Sequence, residues 1–500
     1  MNRDGMDQHL TNDSPMNGAP PPAVVAQDPP ASPMPPRQTA RGGKAMDLTQ
    51  GPIAKTLLLF ALPTLASNVL QTLSGSINSI WVGYYLGESA LAATANANIV
   101  MFLMVALFFG FGIASTVLIG QSMGRKDHNA ALRATGTVTG LALIFSVIIA
   151  GVGWFESDSI LRLLATPPEA MEYAHDYLRI TFMAIPASMV LVTLTMASRG
   201  AGDAVTPLRF MILSVVLDII LNPLLIQGMG PFPKMGIAGS AMATAVASLI
   251  SLIGFLIWAY TRGHVLRLPK SKLHYLIPSG PALRFIVIRG IPMGAQMLVI
   301  SGAGLVMVGL VNREGLDMSA AYAVVLQLWN YVQMPALAIG AAVSAMAAQN
   351  IGAGRWDRVG KVTISGAATN VVMTGVLITL MLIFDRTLLS MFLTADGEAM
   401  NLARHIMLLA TWTFLPFGIT MVVLSTLRSN GAVIAPLVIL AVTMFPIRLG
   451  LYYGLYPLMG SDAIWWSFPL SSIFSLTMAI LAYRHGGWRR KGAIINSLEK

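Results

Sequence analysis

Apolar runs of about twenty residues recur along nearly the whole chain, and no other feature limits its fold as much. Each run is long enough to cross ~30 Å of hydrocarbon as a helix. A helix is the only open-ended segment that satisfies its own backbone there. Only 11% of the 500 residues are charged, against about 25% in a soluble domain. So few charges cannot cover a water-facing surface, and the outer surface is expected to face lipid. The fold class is therefore all-α integral membrane, with twelve spans.

The spans are read at Ile53–Trp81, Asn96–Ile119, Ala131–Trp154, Tyr177–Ala197, Leu208–Ile226 and Gly239–Tyr260. After a basic connector come Phe285–Val311, Ala320–Ala347, Val362–Phe384, Ile406–Thr426, Leu437–Tyr456 and Ile464–Tyr483. The expected organisation is a Pro-rich disordered tail over 1–46, a six-helix bundle over 47–261 and the connector over 262–281. A second six-helix bundle follows over 282–486, then a basic tail over 487–500. The runs of proline in the first segment cannot build a packed core.

Charge chooses the orientation. An even number of spans puts both ends on one side. That side carries Arg125, Lys126, Arg262, Arg267, Lys270, Lys272, Arg355, Arg358, Lys361, Arg489, Arg490 and Lys491. The opposite loops hold Glu88, Glu156, Asp158, Glu314, Asp317, Asp385, Asp396, Glu398 and Asp462. Roughly four-fifths of Lys and Arg fall on one face, which places both termini in the cytoplasm. The net charge of +10 follows from this bias, so nucleic acid is not an expected partner. There is no cysteine, hence no disulfide and no thiolate chemistry.

The two halves repeat. Gly112–Asp127 reads GIASTVLIGQSMGRKD, and Gly340–Asp357 reads GAAVSAMAAQNIGAGRWD. Each has a Gln at a span end (Gln121, Gln349), then a glycine and basic residues. Arg199–Leu208 is matched by Arg428–Leu437, and Pro63 by Pro292, at an offset near 228 residues. A constant offset marks a duplicated unit. Six spans per unit give both copies the same orientation, and transporters place substrate between such parallel repeats.

With these motifs the chain resembles the multidrug and toxic compound extrusion (MATE) transporters. The resemblance covers nearly everything after the tail. It rests on the repeat, the paired Gln-x-x-Gly turns, the small-residue opening of the sixth span (Gly236–Thr244) and the acid, amide and proline of Asp218–Pro223. It implies two pseudo-symmetric bundles and export driven by H⁺ or Na⁺. It also implies that Asn78, Asp218, Asn222 and Thr244 surround the coupling cation. The chain departs from the family where Asn78 replaces an Asp, where Asp218 and Asn222 stand in reversed order, and where Ile300 lies near the place of a Glu.

The residues themselves point to the same region. Asp218 is the only carboxylate well inside an expected span. A buried ionisable group is expensive in a bilayer and marks function by default. Asn222 faces the same way four residues on, and Ser214 four residues before. In the first span Asn68, Gln71, Gly75 and Asn78 form one stripe. Their repeat partners, Met297, Ile300, Gly304 and Met307, carry no such polarity, so the cation site is expected in the first bundle. Burial disfavours a charged carboxylate, which favours a proton as the coupling ion. Na⁺ stays open, since Asp218, Asn222, Asn78 and Thr244 offer several oxygens. One charge moving down 100 mV is worth about 2.3 kcal/mol, or roughly a 50-fold gradient of a neutral solute.

Asn68, Gln71, Gln296, Gln327, Asn330 and Gln333 are the expected lining of a substrate cavity, because amides inside spans face a cavity or another helix. Arg448, near the repeat partner of Asp218, is read as structural. The expected partners are small-molecule substrates and the bilayer, with a monomer sufficient and no cofactor. A lipid-linked precursor flippase is an alternative that would prefer a strongly cationic cavity. A membrane-embedded enzyme would need clustered acids, histidines or a nucleophile with its base. The seven histidines fall in loops or at span ends without metal-type spacing, and no GxxxxGK[ST] loop is present.

Overall fold

The computed structural model describes residues 45–490 except 164–167, 279 and 395–396, and within 88–107 it describes only some side chains. The expected disordered tail over 1–46 lies outside the described part except for residues 45 and 46, and residues 491–500 also lie outside it. The first half comprises α1 (Ile53–Leu86), α2 (Glu88–Gly124), α3 (His128–Leu163), α4 (Pro168–Gly200), α5 (Val205–Gln227) and α6 (Ile237–Thr261). The second half opens with α7 (Gly280–Val311), followed by α8 (Leu316–Val332), α9 (Met334–Gly352), α10 (Trp356–Ile383) and a short α11 (Asp385–Leu389). It ends with α12 (Glu398–Ala410), α13 (Phe414–Ser429), α14 (Ile434–Val442), α15 (Arg448–Met459) and α16 (Asp462–His485). Several of these form single spans: α8 with α9, α12 with α13, and α14 with α15. Among the described residues, eleven such stretches are long and apolar enough to cross a bilayer, and α2 supplies the twelfth crossing with its apolar stretch Phe108–Gly124. The result is an all-α membrane fold of two pseudo-symmetric six-helix bundles.

The spans of the first half are single helices, whereas three in the second half are broken. Pro335 stands at the start of α9 and separates it from α8, since proline lacks the N–H that would continue the ladder. A 3₁₀ turn over Thr411–Thr413 separates α12 from α13. A π-helical turn over Thr443–Ile447, containing Pro446, separates α14 from α15.

Both repeats end their second span in the same way. The N–H of Arg125 donates to the Gln121 carbonyl and that of Asp127 to Ser122. The N–H of Ala353 donates to Gln349 and that of Arg355 to Asn350. This is a paired C-terminal helix cap that needs a left-handed residue. Gly354 fills that place at φ 72°, but Lys126 fills it in the first copy at φ 62°.

The bundles meet along one end of the helices, the end that also holds the connector and both described chain ends. We term this the basic face. A side-chain carbon on Gly110 would stand 2.2 Å from the Gly290 carbonyl oxygen, and one on Gly120 would stand 2.9 Å from Ala348. A mixed core of Leu48, Leu57, Phe60, Ile339, Val343, Met346 and Val422 fills the seam. Toward the other end, α8 packs chiefly on α12, around an aromatic core of Tyr322, Trp329, Phe414, Trp465 and Phe468. The Trp329 indole N–H there reaches the Thr411 hydroxyl at 3.0 Å.

Candidate functional site

A cavity of about 370 Å³ lies inside the first bundle. It is bounded by α1, α2, α4, α5 and α6, and every lining residue falls between Ser74 and Thr244. Its floor is mostly apolar, with Met101, Phe108, Ile185, Met189 and Met196. Two of its hydroxyls, those of Ser74 and Thr244, bond one carboxylate, that of Asp218.

Asp218 is 6% exposed, and its oxygens take hydrogen bonds from three helices. The Thr244 hydroxyl of α6 donates to Oδ1 at 2.7 Å. The Ser74 hydroxyl of α1 donates to Oδ2 at 3.1 Å. The Asn222 amide, one turn along α5, approaches Oδ1 at 3.4 Å. The Asn222 carbonyl oxygen is fully buried and has no hydrogen-bond partner. Among the described residues, no Lys, Arg or His pairs with Asp218. An ionised carboxylate in such a place is costly unless a cation joins it.

Asn78 is in the cavity wall but does not reach Asp218. Its carbonyl oxygen accepts from the Ser240 hydroxyl at 2.5 Å, and its side chain also bonds Tyr177. The four expected site residues are thus close together, with Thr244 and Asn222 on the carboxylate and Asn78 one partner removed. Sequence reasoning missed Ser74, Ser240 and Tyr177. Ser74 had a signal, because it continues the α1 stripe three residues after Gln71 and four before Asn78.

The amides expected to line a substrate cavity are dispersed. Asn68 and Gln71 stand on α1 nearer the basic face, half-buried and exposed respectively. Gln296 is 2% exposed and serves as a bridge: it accepts from Arg428 at 3.1 Å and donates to the Pro292 and Val433 carbonyls. Gln327, Asn330 and Gln333 lie across the molecule, where Gln333 donates to Asn330 at 3.0 Å beside the α8–α9 break. Arg448 is buried, bonds Ser471 at 3.0 Å and stacks on Phe468 at 4.6 Å.

The described residues hold no group of three His, Cys, Asp or Glu side chains placed to bind a metal ion. Two histidines fall further inside helices than expected. His175 of α4 pairs with Asp158, and His405 of α12 with Asp462.

A family model described as MatE matches twice, over residues 63–224 and 292–453. The chain belongs to the MatE family. It is 33% identical over 439 residues to the "Probable multidrug resistance protein YoeA" of Bacillus subtilis (strain 168), covering 87% of this chain and 94% of that one. It is 22% identical to the "Probable multidrug resistance protein NorM" of Thermotoga maritima, with 88% and 94% covered. Among solved structures it superposes on an outward-facing conformation of a multidrug resistance MATE family transporter of the MOP superfamily. That match has a TM-score of 0.82 at 19% identity and covers 91% of this chain and 99% of the other. The two matched segments are offset by 229 residues, from 63 to 292 and from 224 to 453.

In this MatE chain the repeat glutamines form a reciprocal latch across the seam. The amide of Gln121, in the first half, donates to the Ser429 carbonyl of the second at 2.5 Å. The amide of Gln349, in the second half, donates to the Gly200 carbonyl of the first at 3.2 Å. Gly124 lets α2 approach the Gln349 carbonyl, and Gly352 lets α9 approach the Gln121 carbonyl. A side-chain carbon on either glycine would stand 2.0 Å from that oxygen.

A strap formed by residues 46–51 crosses the same seam. The Met46 N–H donates to Gly202, and the Leu48 N–H to Gln349 Oε1 at 3.1 Å. The strap carbonyls accept from Asn350, Arg355 and Arg358. The molecule is therefore sealed at the basic face.

Beside the seal, Asp203 and His264 form a buried pair at 3.4 Å. Asp203 also caps α5 by accepting from the Val205 and Thr206 N–H groups. Burial alone would push its carboxyl up, but His264 and Thr206 outweigh this and hold it below the usual carboxylate range.

Proposed function

We propose that this MatE chain is a cation-coupled antiporter that exports small organic cations and amphiphiles by alternating access, with its basic face toward the cytoplasm. The observation that carries the reading is the Asp218 carboxylate. It is buried at a cavity wall, held by two hydroxyls, and has no basic partner among the described residues. Such a group makes the energy of each access state depend on whether a cation is bound. The names of the relatives and the asymmetric loop charges support direction and cargo class.

A proton is the coupling ion we favour over Na⁺. A proton needs one lone pair of Asp218. Na⁺ needs several oxygens at once, and the Asn78 oxygen is turned to Ser240, with no bond joining Asn78 to the carboxylate. In the sealed state described here, the cation loads from the face opposite the seal. It then lowers the cost of burying the carboxylate while the bundles, expected over 47–261 and 282–486, rock to open the basic face.

The test is ethidium efflux from proteoliposomes under an imposed pH gradient or an imposed Na⁺ gradient. Wild type should respond to the pH gradient, and Asp218→Asn should lose that response. Undiminished coupled efflux in Asp218→Asn removes the assigned role. A response to Na⁺ alone moves the coupling to that ion. Indifference to both gradients returns the flippase and enzyme readings.

A further inference from the structure

A second and larger cavity, about 860 Å³, lies on the far side of α4 from Asp218. Its floor is α4, its walls are α3 and α6, and the connector closes its basic end. Helix α4 packs closely against both α3 and α6, whereas α3 and α6 hardly meet. The gap between them is therefore a groove that opens sideways into the bilayer. Only Ala184 is shared with the Asp218 cavity; otherwise the two cavities use different faces of α4.

The lining is mostly aliphatic, including Leu143, Met183, Val190, Val246, Leu249 and Leu256, with Thr135, Ser198, Tyr260 and His264 among its polar groups. It extends along α4 from Ile180 to Ser198 and along α6 from Met242 to Tyr260. Eighteen helical steps of ~1.5 Å make roughly 27 Å. That exceeds one leaflet's share of a ~30 Å hydrocarbon core. Water has no reason to fill an apolar groove at this depth, and an empty one forfeits packing on every wall.

The groove changes character at its basic end. Arg267 of the connector, an exposed cation, stands at the mouth. Close to that end the Thr139 hydroxyl of α3 lines the groove, buried and without a hydrogen-bond partner. The backbone of Tyr275 and Leu276 is held tightly against α3, because Gly136 and Gly140 leave no side chain between them. The connector is thus held fast against the basic end of the groove. A long apolar trough, a free hydroxyl near its end and a cation at its mouth match the tail, ester and phosphate of one kind of molecule.

We propose that this groove is a binding site for an anionic phospholipid, with one acyl chain lying along α4 and the phosphate held by Arg267. The site is separate from the transport reading and stands or falls without it. Because α4 is the common wall, an occupied groove fixes the rear face of the helix that carries Tyr177 and Met189 into the Asp218 cavity.

The experiment is native mass spectrometry of the full chain released from detergent with added phosphatidylglycerol or phosphatidylcholine. Wild type should retain one phosphatidylglycerol about fivefold more than phosphatidylcholine, the preference given by one Arg at roughly 1 kcal/mol near an anionic surface. Arg267→Gln should abolish the preference while keeping the lipid. Ala245→Trp, which fills the trough, should lose one bound lipid of either type. Leu249→Trp, at a lipid-exposed position, checks the same outcome in a variant whose core is untouched. Retention unchanged in both Trp variants, or a preference that survives Arg267→Gln, overturns the proposal. Ethidium bound in place of lipid and expelled by the same Trp variants also overturns it, and gives the groove to transported solute.

Discussion

Glycines at the seal make a demanding test of whether the basic face opens. A methyl group on Gly124 would stand 2.0 Å from the Gln349 carbonyl oxygen, where ordinary contact begins near 3.4 Å. The obstacle is backbone on a neighbouring helix and cannot rotate aside. The two helices must separate by more than an ångström, at a cost typical of overpacking, about 1–3 kcal/mol. The penalty applies only while the seam is closed, so it shifts the closed-to-open ratio by roughly 5- to 150-fold. Gly124→Ala tests this directly, and Gly352→Ala tests it again from the other half. The chain has no cysteine, so a single thiol can be placed without background. Ala348→Cys puts it at the seam, where the native side chain is fully buried. Inverted membrane vesicles then receive a membrane-impermeant maleimide. Labelling should rise with each glycine substitution by a factor in that range. Equal labelling in the parent and both alanine variants would refute the claim that this seam is a moving gate.

Other outcomes follow from the same geometry. Gln349→Ala removes acceptor and donor from Leu48 and Gly200 together; leaving buried groups unpaired costs about 1–3 kcal/mol, so maleimide labelling at the seam should increase here too. Lys126→Gly relieves a left-handed backbone at φ 62°, and thermal unfolding in detergent should show a gain of about 0.5–1 kcal/mol. Asp203→Asn should be less stable than wild type at neutral pH, because the carboxyl is held below its ordinary range. A lowered value gives stability that is present above about pH 4 and lost as pH falls further, so the wild-type advantage in melting temperature should vanish in acid. Trp329→Phe removes the indole bond to Thr411 and should cost about 1 kcal/mol in the same melts.

The spans, the duplication and the buried position of Asp218 were legible because each is written in one local pattern. Apolar length needs no knowledge of neighbours, and one acid in a long apolar run has no rival. The partners of Asp218 were harder. Ser74 and Ser240 are ordinary residues in transmembrane helices, and only the packing of α1 and α6 against α5 gives them a role. Gln121 and Gln349 were visible as paired motifs, but their acceptors lie 308 and 149 residues away. Gln296 looked like a cavity amide until Arg428, 132 residues on, was found beside it. The π turn before Arg448 left no mark beyond Pro446, although a wider turn of this kind takes up about one extra residue. That is the size of the offset between Arg448 and the repeat partner of Asp218.

The strap over residues 46–51 has a consequence for biosynthesis. Its anchors at Gln349, Asn350, Arg355 and Arg358 are translated about 300 residues after it. At roughly 5–20 residues per second, that leaves the segment waiting for 15–60 s. Its final seating is thus a late event in membrane insertion, and it reports on completion of the eighth crossing. A nascent chain halted before Gln349 would still offer those backbone groups to proteases or chaperones, while a finished one would have withdrawn them.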